Sequence, residues 1–261
     1  MNPKISIITI TYNSEKTLEE TIQSVVSQNY DNLEYLIIDG GSTDRTLEIV
    51  EKYKDKIDIV ISEPDKGISD AFNKGIRNAS GEIIGIINSD DLLMPGALET
   101  ISKYYNPEID IFSGNVIFWN QDTGDEHSCK PDIKFDKLKM QFGVAHPSRF
   151  IRKSAYEKYG LYDINFRYMM DADLLCRFYK RGAYFIHIDI DLAKFRMGGT
   201  TADNIYKKKD EFRRFVQNFG GTNYEFRILW YKKVLKYYLI KISTTIFGES
   251  IRFIYYRIIN L

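Results

Sequence analysis

Two aspartate pairs in this sequence are spaced so that they could bind a metal ion or move a proton. Asp90 and Asp91 follow a run of apolar residues that is typical of a buried strand. Their carboxylate oxygens suit Mg²⁺ or Mn²⁺, and either ion can hold a diphosphate with few protein ligands. The pair alone is a weak signal, because Asp-Asp also begins turns and helices.

Asp171 and Asp173 form the second pair, at the start of a predicted helix over residues 170–181. Residues two apart on a helix do not face the same side, so both carboxylates cannot point at one site. Asp171, ionised at neutral pH, could serve as a general base. The alternative is that it caps the helix N-terminus. Asp173 is expected to face elsewhere, as an acid of the first helical turn.

The elements that must position these residues alternate between strand and helix through the first hundred residues. Periodicity predicts strands over residues 5–10, 33–38, 58–61 and 83–87. Helices are predicted over residues 14–28, 43–54, 69–77 and 95–105, the last with Pro95 in its first turn. This alternation predicts an α/β fold with a mostly parallel, twisted sheet and helices on both faces.

Beyond residue 108 the alternation weakens. Strand segments are predicted over residues 109–118 (as two pieces), 146–151 and 183–188. Helices are predicted over residues 153–159 and 170–181, closed by Gly160 and Gly182. From about residue 202 the chain is expected to be helical. We therefore expect one catalytic unit over residues 1–200 and a helical extension over residues 201–261.

Each of the first four strands ends in polar residues suited to a ligand. Ligands bind beyond the carboxyl ends of strands in open parallel sheets, so these side chains are expected at one edge. They are Thr11, Tyr12, Asn13, Asp39, Asp65, Lys66, Asn88, Ser89, Asp90 and Asp91. Asp39 taken singly could be a turn residue, but the set as a whole favours a binding site.

The residues directly after the first strand exclude two kinds of nucleotide site. There is no Gly-x-Gly-x-x-Gly fingerprint and no Gly-x-x-x-x-Gly-Lys-Ser/Thr loop. Dinucleotide oxidoreductases and P-loop enzymes are therefore not expected. Without a glycine cradle, the charge of a bound pyrophosphate would have to be met by a metal ion.

Five segments together resemble the family 2 glycosyltransferases, which have the GT-A fold. The segments are 6–13 (SIITITYN), 38–44 (IDGGSTD), 63–67 (EPDKG), 88–91 (NSDD) and 170–174 (MDADL). The resemblance covers roughly residues 4–200. It implies metal-dependent, inverting transfer of a hexose or N-acetylhexosamine from a nucleoside-diphosphate sugar, with uridine the expected base, often in surface polysaccharide assembly. Residues 1–107 would form the nucleotide-sugar half and residues 108–200 the acceptor half.

The resemblance also implies roles for single residues. The nucleotide sugar would be bound by Thr11, Tyr12, Asn13, Asp39, Asp65, Lys66, Asn73, Asn88, Ser89 and Asp90. Asp39 would hydrogen-bond the base, Asp90 would hold Mn²⁺ or Mg²⁺, and Asp171 would be the catalytic base.

Two positions depart from the family pattern. The first acid of the metal motif is Asn88 here, which can accept a hydrogen bond but brings no charge. Where many relatives carry an arginine two residues before a helical glycine, this chain has Asn73 and Lys74 before Gly75. Diphosphate binding is therefore expected to depend on the metal and on Lys74.

Three more residues are candidates for acceptor binding or for support of the site: Asp91, His146 and Arg196. His146 precedes Pro147 and could lie in the acceptor site, neighbour the metal, or be structural. Arg196 lies in segment 195–201 (FRMGGTT), which could close over the diphosphate as a lid or be an ordinary loop.

The C-terminal segment differs in character from the rest of the chain. Residues 227–261 hold seven Lys or Arg and one acid, a net charge of +6, among eight aromatic residues. A basic helix rich in aromatics is typical of membrane-surface binding. The alternative is a helical hairpin that packs on the catalytic domain or on another subunit. No apolar run is long enough for a transmembrane helix.

Composition bears on location and partners. The chain has 36 Lys and Arg residues and 36 Asp and Glu residues, so its net charge is zero and indicates no particular partner. Nucleic acid is not expected. Cys129 and Cys176 fit neither a zinc site nor a disulfide framework, and no secretory leader is evident. We expect a cytoplasmic enzyme, on the inner face of the cell membrane if the extension binds lipid, with a sugar or lipid-linked glycan as acceptor.

Two other functions stay open. A sugar nucleotidyltransferase would also use a parallel sheet and acidic metal ligands, but it needs a glycine-rich, basic loop that residues 11–14 (TYNS) do not provide. A non-catalytic nucleotide-binding subunit of a membrane-associated complex is kept open by Asn88.

Overall fold

The computed structural model describes residues 2–130, 146–197 and 205–247. The strands are β1 Ile5–Thr11, β2 Leu33–Asp39, β3 Ile59–Ser62, β4 Ile83–Asn88, β5 Leu92–Leu93, β6 Ile111–Trp119, β7 Glu126–Cys129, β8 Arg149–Arg152 and β9 Phe185–Arg196. The helices are α1 Leu18–Val26, α2 Thr46–Lys52, α3 Ile68–Asn78, α4 Ala97–Tyr104, α5 Lys153–Tyr159, α6 Met170–Lys180, α7 Lys209–Asn218 and α8 Asn223–Phe247. Short 3₁₀ turns cover Lys54–Lys56, His146–Ser148 and Ile205–Lys208.

The strands form one sheet in the order β3-β2-β1-β4-β8-β6-β9-β5, with β7 paired to β6. Strands β1 to β4 are parallel. Strand β8 lies antiparallel between β4 and β6, and β6 is parallel to β9. In the described part of the chain, six strands therefore run one way, and β5, β7 and β8 run the other. The predicted α/β fold with a mostly parallel sheet is confirmed.

Apolar residues of the central strands alternate between two cores, one on each face of the sheet. Ile7 and Ile37 pack with α1, α2 and α4, whereas Ile8 and Leu36 pack with α3, α5 and α6. Successive side chains of a strand point to opposite faces, so a continuous apolar strand fills both cores. Full burial of one such side chain contributes about 1.5–3 kcal/mol. Helices on both faces are thus a consequence of the uninterrupted apolar runs.

Several predicted elements have different bounds in the structure. The helix expected to include Pro95 begins at Ala97, after Gly96 in a left-handed conformation with φ 75°. Residues 109–118 do not form two strands: β6 is continuous, and its register against β9 is irregular between Ser113 and Val116. The strand predicted over 146–151 begins only at Arg149, after a 3₁₀ turn. The strand predicted over 183–188 is longer and ends at residue 196.

The helices after residue 204 pack on the core that contains α3, α5 and α6. Phe212 and Phe215 of α7 and Phe226 and Trp230 of α8 are buried in it. For this part of the extension, the structure favours packing on the preceding domain, which was the alternative to membrane binding. Later residues of α8 are largely exposed. None of the helices in the described ranges is both long and apolar enough to span a membrane.

Candidate active site at the carboxyl edge of the sheet

The carboxyl ends of β1 to β4 are in register at one edge of the sheet. Thr11 lies opposite Asp39, and Asp39 lies opposite Ser62. On the other side of β1, Ile10 lies opposite Asn88. The structure therefore brings the polar residues that follow these four strands together, as parallel pairing requires.

The loops after β1 and β2 are joined by hydrogen bonds. Asn13, at φ 49°, accepts the Thr43 N–H at 2.8 Å through its side-chain oxygen. Its own N–H donates to the Ser42 hydroxyl at 2.8 Å. The Thr11 hydroxyl is buried and has no hydrogen-bond partner among the described residues, whereas Tyr12 is 62% exposed. The loop after β1 thus presents the exposed ring of Tyr12 beside an ordered turn.

Asp39 is fully buried, and its carboxylate orders the turn that follows β2. It accepts the N–H groups of Gly41 and Ser42 at 3.1 and 3.0 Å, and the hydroxyls of Ser42 and Ser62 at 2.5 and 2.6 Å. These bonds match the turn interpretation of the residue. The contact of Asp39 with a nucleotide base stays a prediction. Such a base would have to donate to a carboxylate oxygen of Asp39 that already accepts hydrogen bonds from the protein.

The β3 loop lies close against the β2 loop through Asp65. A Cβ placed on Gly40 would lie 2.6 Å from Asp65 Oδ2, so a larger residue there would require the Asp65 side chain to move. Asp65 also accepts the Gly67 N–H at 2.8 Å. The neighbouring Lys66 is exposed, so its ammonium can reach a ligand above the edge.

Two residues predicted to bind the donor are used by the protein itself. The ammonium of Lys74 lies 2.9 Å from Glu63 and donates to the Pro64 carbonyl at 3.0 Å, so it holds the β3 loop. The buried amide of Asn73 donates to the Tyr162 carbonyl at 2.8 Å and accepts the Tyr162 N–H at 3.0 Å. Asn73 therefore positions the segment before α6, and its contact with the donor stays a prediction.

Residues 88–91 form a second acidic group at this edge, and its two carboxyl groups are desolvated. Burial raises the pKa of Asp90, and burial together with the Asp90 charge raises the pKa of Asp91 well above its usual value. Asp91 accepts from the Asn88 amide at 3.2 Å and the Arg196 N–H at 3.2 Å. Ser89 shares a hydrogen bond of 2.8 Å with Ser14. Asp91 thus supports the loop, while Asp90 is only partly buried.

Arg196 is held behind this acidic loop. Its Nε donates to the Asp90 carbonyl at 3.1 Å, and its terminal nitrogens donate to Glu20 at 2.5 Å and to Gln121. Its guanidinium lies 4.4 Å from the centre of the Trp119 ring. These contacts assign Arg196 to support of the acidic loop. The glycine-rich part of the predicted lid lies outside the described residues.

The oxygen donors at this edge fit a hard divalent ion. In the described ranges, no three His, Cys, Asp or Glu side chains come together as a ready-made metal cage. Asp90 offers a partly buried carboxylate, and the buried Asn88 Oδ1 has no hydrogen-bond partner in the described part of the chain. Mg²⁺ commonly takes one or two carboxylates plus substrate phosphates and waters. Asp90 and Asn88 therefore suit Mn²⁺ or Mg²⁺ whose other ligands come from a diphosphate.

Asp171 lies on the first turn of α6 beside three polar groups. The Arg149 Nη1 is 3.6 Å from Asp171 Oδ1, and the His146 Nδ1 is 3.9 Å from Oδ2. The Tyr162 hydroxyl is 3.4 Å from Oδ1. Asp173 is buried and paired with Arg177 at 2.8 Å, so the two aspartates diverge as predicted.

Strand β8 brings the Asp171 cluster towards the edge that carries Asp90. Because β8 is antiparallel to β4, its beginning lies beside the carboxyl end of β4, with Phe150 opposite Gly85. The turn His146–Ser148 also contacts β4, β5 and β9. The base candidate and the metal candidate therefore belong to one edge of the sheet.

Sequence reasoning missed Arg149, Tyr162 and Glu20 at this site. Arg149 left one signal, which is a charged residue at the start of a short apolar strand. Tyr162 and Glu20 left none, because their roles depend on contacts with residues distant in the chain.

A model of the family described as Glycosyl transferase family 2 matches residues 6–160, more than half of the chain, and the chain belongs to this family. An uncharacterized glycosyltransferase of Rickettsia typhi is 30% identical over 199 residues, which cover 71% of this chain and 62% of that relative. The chain thus spans less than two thirds of that relative's length.

Two solved structures are similar in fold. S. aureus TarS 1–349 in complex with UDP-GlcNAc matches 82% of this chain and 65% of its own, with a TM-score of 0.65 and 18% identity. The mannosyltransferase PcManGT from Pyrobaculum calidifontis, in complex with GDP-Man and Mn²⁺, matches 89% of this chain and 69% of its own, with a TM-score of 0.65 and 18% identity. The fold of this chain is accordingly the predicted GT-A fold.

Proposed function

We propose that this chain transfers a sugar from a nucleoside-diphosphate donor to an acceptor hydroxyl, with inversion at the anomeric carbon. The observation that carries the proposal is the arrangement of Asp90 and Asp171 at one edge of a GT-A sheet. The sugar is a hexose or N-acetylhexosamine, and uridine is the base we favour. The S. aureus neighbour binds UDP-GlcNAc and the Pyrobaculum neighbour binds GDP-Man, which makes both donors the first to test.

The reaction is a single displacement. The acceptor oxygen forms a bond to the anomeric carbon on the face opposite the diphosphate, through an oxocarbenium-like state. The bond from that carbon to the diphosphate oxygen breaks, and its electron pair leaves with the nucleoside diphosphate. The acceptor O–H bond breaks, and the proton passes to the Asp171 carboxylate, help that is typically worth about 10²–10⁴ in rate.

The residues at the sheet edge have separate tasks in this proposal. Asp90, with Asn88, would hold Mn²⁺ or Mg²⁺, which supplies Lewis-acid stabilisation of the departing diphosphate when bound. Tyr12, Asn13, Asp39, Asp65 and Lys66 line the nucleotide side, and Ser89 orders the acidic loop. His146 lies on the acceptor side, next to Asp171. Residues 1–107 would thus serve the donor and residues 108–200 the acceptor.

The two competing functions predict different products. A sugar nucleotidyltransferase would release pyrophosphate from a nucleoside triphosphate. A non-catalytic subunit would bind a nucleotide sugar and leave it intact. The partly exposed Asp171 beside a buried arginine favours catalysis, because it offers a carboxylate within reach of an acceptor hydroxyl.

The exposed half of α8 supports a membrane-bound acceptor. Tyr231, Leu235, Tyr238 and Ile242 recur at intervals of four, three and four residues and are 72%, 61%, 41% and 55% exposed. Exposed Lys232 and Lys241 lie on the same stretch of helix. An apolar stripe with basic neighbours suits the surface of an anionic bilayer. We therefore place the protein on the inner face of the cell membrane, with a lipid-linked glycan as acceptor in surface polysaccharide synthesis.

A nucleotide-sugar hydrolysis screen tests the proposal. The purified full chain is mixed with UDP- and GDP-sugars in Mn²⁺, Mg²⁺ or EDTA, and released nucleoside diphosphate is measured. We expect metal-dependent release from one donor, lost in Asp90→Ala. If nothing is released, calorimetry with the same donors is the next measurement. Binding without turnover in the presence of glycan acceptors would favour the non-catalytic subunit, and absence of binding would refute the glycosyltransferase assignment.

A further inference from the structure

Asp171 is surrounded on its protein side by polar side chains that are almost completely buried. The side chain of Arg149 is 2% exposed, whereas that of Asp171 is 29% exposed. His146 is 8% exposed, Tyr162 5% and Tyr156 3%. Asp171 therefore has one side open to solvent and another against groups that water does not screen.

At neutral pH, Arg149 supplies the positive charge in this cluster. Burial lowers the pKa of His146 to about 4, despite the nearby Asp171, so its imidazole is neutral. Burial also raises the pKa of Tyr162 and of Tyr156, which keeps both hydroxyls protonated. A guanidinium remains charged under all ordinary conditions. Among the residues that the structure describes, the titratable or charged groups that face Asp171 from β8, the preceding turn, α5 and the α5–α6 segment are Arg149, His146, Tyr156 and Tyr162.

A buried arginine is costly to a fold unless its charge is matched. Taking a charge out of water carries a penalty that a partner only partly offsets, and an apolar residue of similar size is often as good for stability. Arg149 is followed on β8 by Phe150 and Ile151, which are buried in the core. Its position opposite a partly exposed carboxylate is therefore better explained by an effect on Asp171 than by an effect on stability.

We propose that Arg149 is the positioning residue of the general base: its guanidinium pairs with the Asp171 carboxylate and keeps it directed at the acceptor hydroxyl. This inference rests on the proposed function, in which Asp171 accepts the acceptor's proton. Arg149 itself, buried behind the carboxylate, does not touch the substrate. Removal of its charge should weaken the chemical step and spare donor binding.

Arg149→Met and Arg149→Lys of the full chain test the proposal, with the donor that the wild type hydrolyses. In Arg149→Met we expect kcat for the release of nucleoside diphosphate to fall about tenfold or more, which is a part of the usual general-base effect. The KM for the donor should change less than about twofold, since the nucleotide side is intact. Arg149→Lys keeps the charge and should restore part of kcat.

Arg152→Met is the matched control, with the same substitution three residues along β8. Its guanidinium donates to the Pro107 carbonyl, away from Asp171. We expect this variant to keep the wild-type kcat. If Arg149→Met does not fold, Arg149→Gln, which is polar but uncharged, has the same expected effects.

Two results would overturn the inference while the proposed function stands. One is a wild-type kcat in Arg149→Met. The other is loss of donor binding in step with kcat, equally in Arg149→Met and Arg149→Lys, which would indicate a structural role alone. A wild type that binds donors but releases no diphosphate, even with acceptors, would refute the proposed function itself and this inference with it.

Discussion

The carboxylate of Glu211, on α7, accepts the backbone N–H of Tyr168 at 2.8 Å, just before α6 begins. The same carboxylate accepts the N–H groups of Arg167 at 3.0 Å and Met169 at 3.2 Å. These three residues directly precede α6, and a negative charge is favourable beside the N-terminus of a helix. A residue from beyond position 200 therefore anchors the start of the helix that carries Asp171, so the C-terminal extension contributes to the candidate active site.

Glu211→Ala should weaken both folding and catalysis. Loss of the carboxylate leaves three backbone N–H groups to water, and we expect a cost of about 1–2 kcal/mol. Thermal denaturation should show a Tm lower by a few degrees, and diphosphate release should fall because the start of α6 loosens. Asp210→Ala, at the exposed neighbouring position, is the control and should change neither. Wild-type activity in Glu211→Ala would show that α6 is held without this contact.

Asp171→Asn should abolish sugar transfer and leave nucleotide binding nearly intact. The amide keeps the size of the side chain but cannot accept the proton from the acceptor, so a loss of about 10²–10⁴ in rate is expected. Diphosphate release and calorimetry with the donor measure the two effects separately. Asp173→Asn makes the same change two residues away, where the carboxylate is paired with Arg177; it should lower Tm and retain turnover. Weakened donor binding with full activity in Asp171→Asn would contradict the assigned role.

Glu34 lies near the amino end of β2, at the edge of the sheet opposite the candidate site. We expect this residue to make the stability of the fold depend on pH. Burial by itself would raise the pKa of Glu34, but hydrogen bonds from Ser6, Ser80 and Lys4 outweigh it and lower the pKa from 4.5 to about 2. Ser6 and Ser80 each donate through their hydroxyls at 2.5 Å. The resulting stability is fully present above pH 4.5 and is lost as the pH falls towards 2.

Thermal denaturation of wild type and Glu34→Gln between pH 2 and 7 checks this effect. The variant should be less stable at neutral pH by about 1–3 kcal/mol, since it disturbs buried hydrogen bonds. Its Tm should fall less steeply than that of the wild type below pH 4.5. Glu99→Gln, at an exposed position on α4, is the control and should follow the wild-type curve. Parallel curves for wild type and Glu34→Gln would show that this network does not couple folding to pH.

Charge reversal on α8 should weaken binding to anionic vesicles. Lys232→Glu with Lys241→Glu removes two positive charges from the exposed part of the helix, each worth about 1 kcal/mol near an anionic surface. Co-sedimentation with vesicles containing phosphatidylglycerol should therefore fall about tenfold or more. Lys52→Glu with Lys103→Glu gives the same net charge at exposed positions elsewhere and should bind like the wild type. Equal binding by both double variants, or association into dimers through α8 in place of vesicle binding, would refute the membrane proposal.

Charge reversal tests membrane binding more directly than removal of α8 would, because α8 also carries the buried Trp230. A chain cut at about residue 226 would lose Trp230, which is buried in the core shared by α7 and α8. Reduced vesicle binding by such a chain could then reflect a damaged fold. Lys232 and Lys241 are exposed, so their substitution leaves this core unchanged.

The sequence predicts the candidate site best where residues follow strands directly. Asp39 and Asp90 are expected at one edge because each follows a strand whose direction the strand–helix alternation sets. The sequence does not predict what Asn73 and Lys74 contact within the protein, since α3 is amphipathic and its pattern shows which residues face inward but not what they meet there. The structure shows that Asn73 donates to the Tyr162 carbonyl and that Lys74 pairs with the Glu63 carboxylate.

By itself, then, the sequence determined the parallel half of the sheet, the polar edge after β1 to β4 and the family, because each of these depends on local periodicity and on motifs in chain order. Only the tertiary structure decided which residues from the second half reach that edge. Arg149 meets Asp171 because β8 enters the sheet antiparallel beside β4, and Arg196 meets Asp90 across 106 residues of chain. Such contacts follow from strand order and helix packing across the whole fold, which no local pattern encodes.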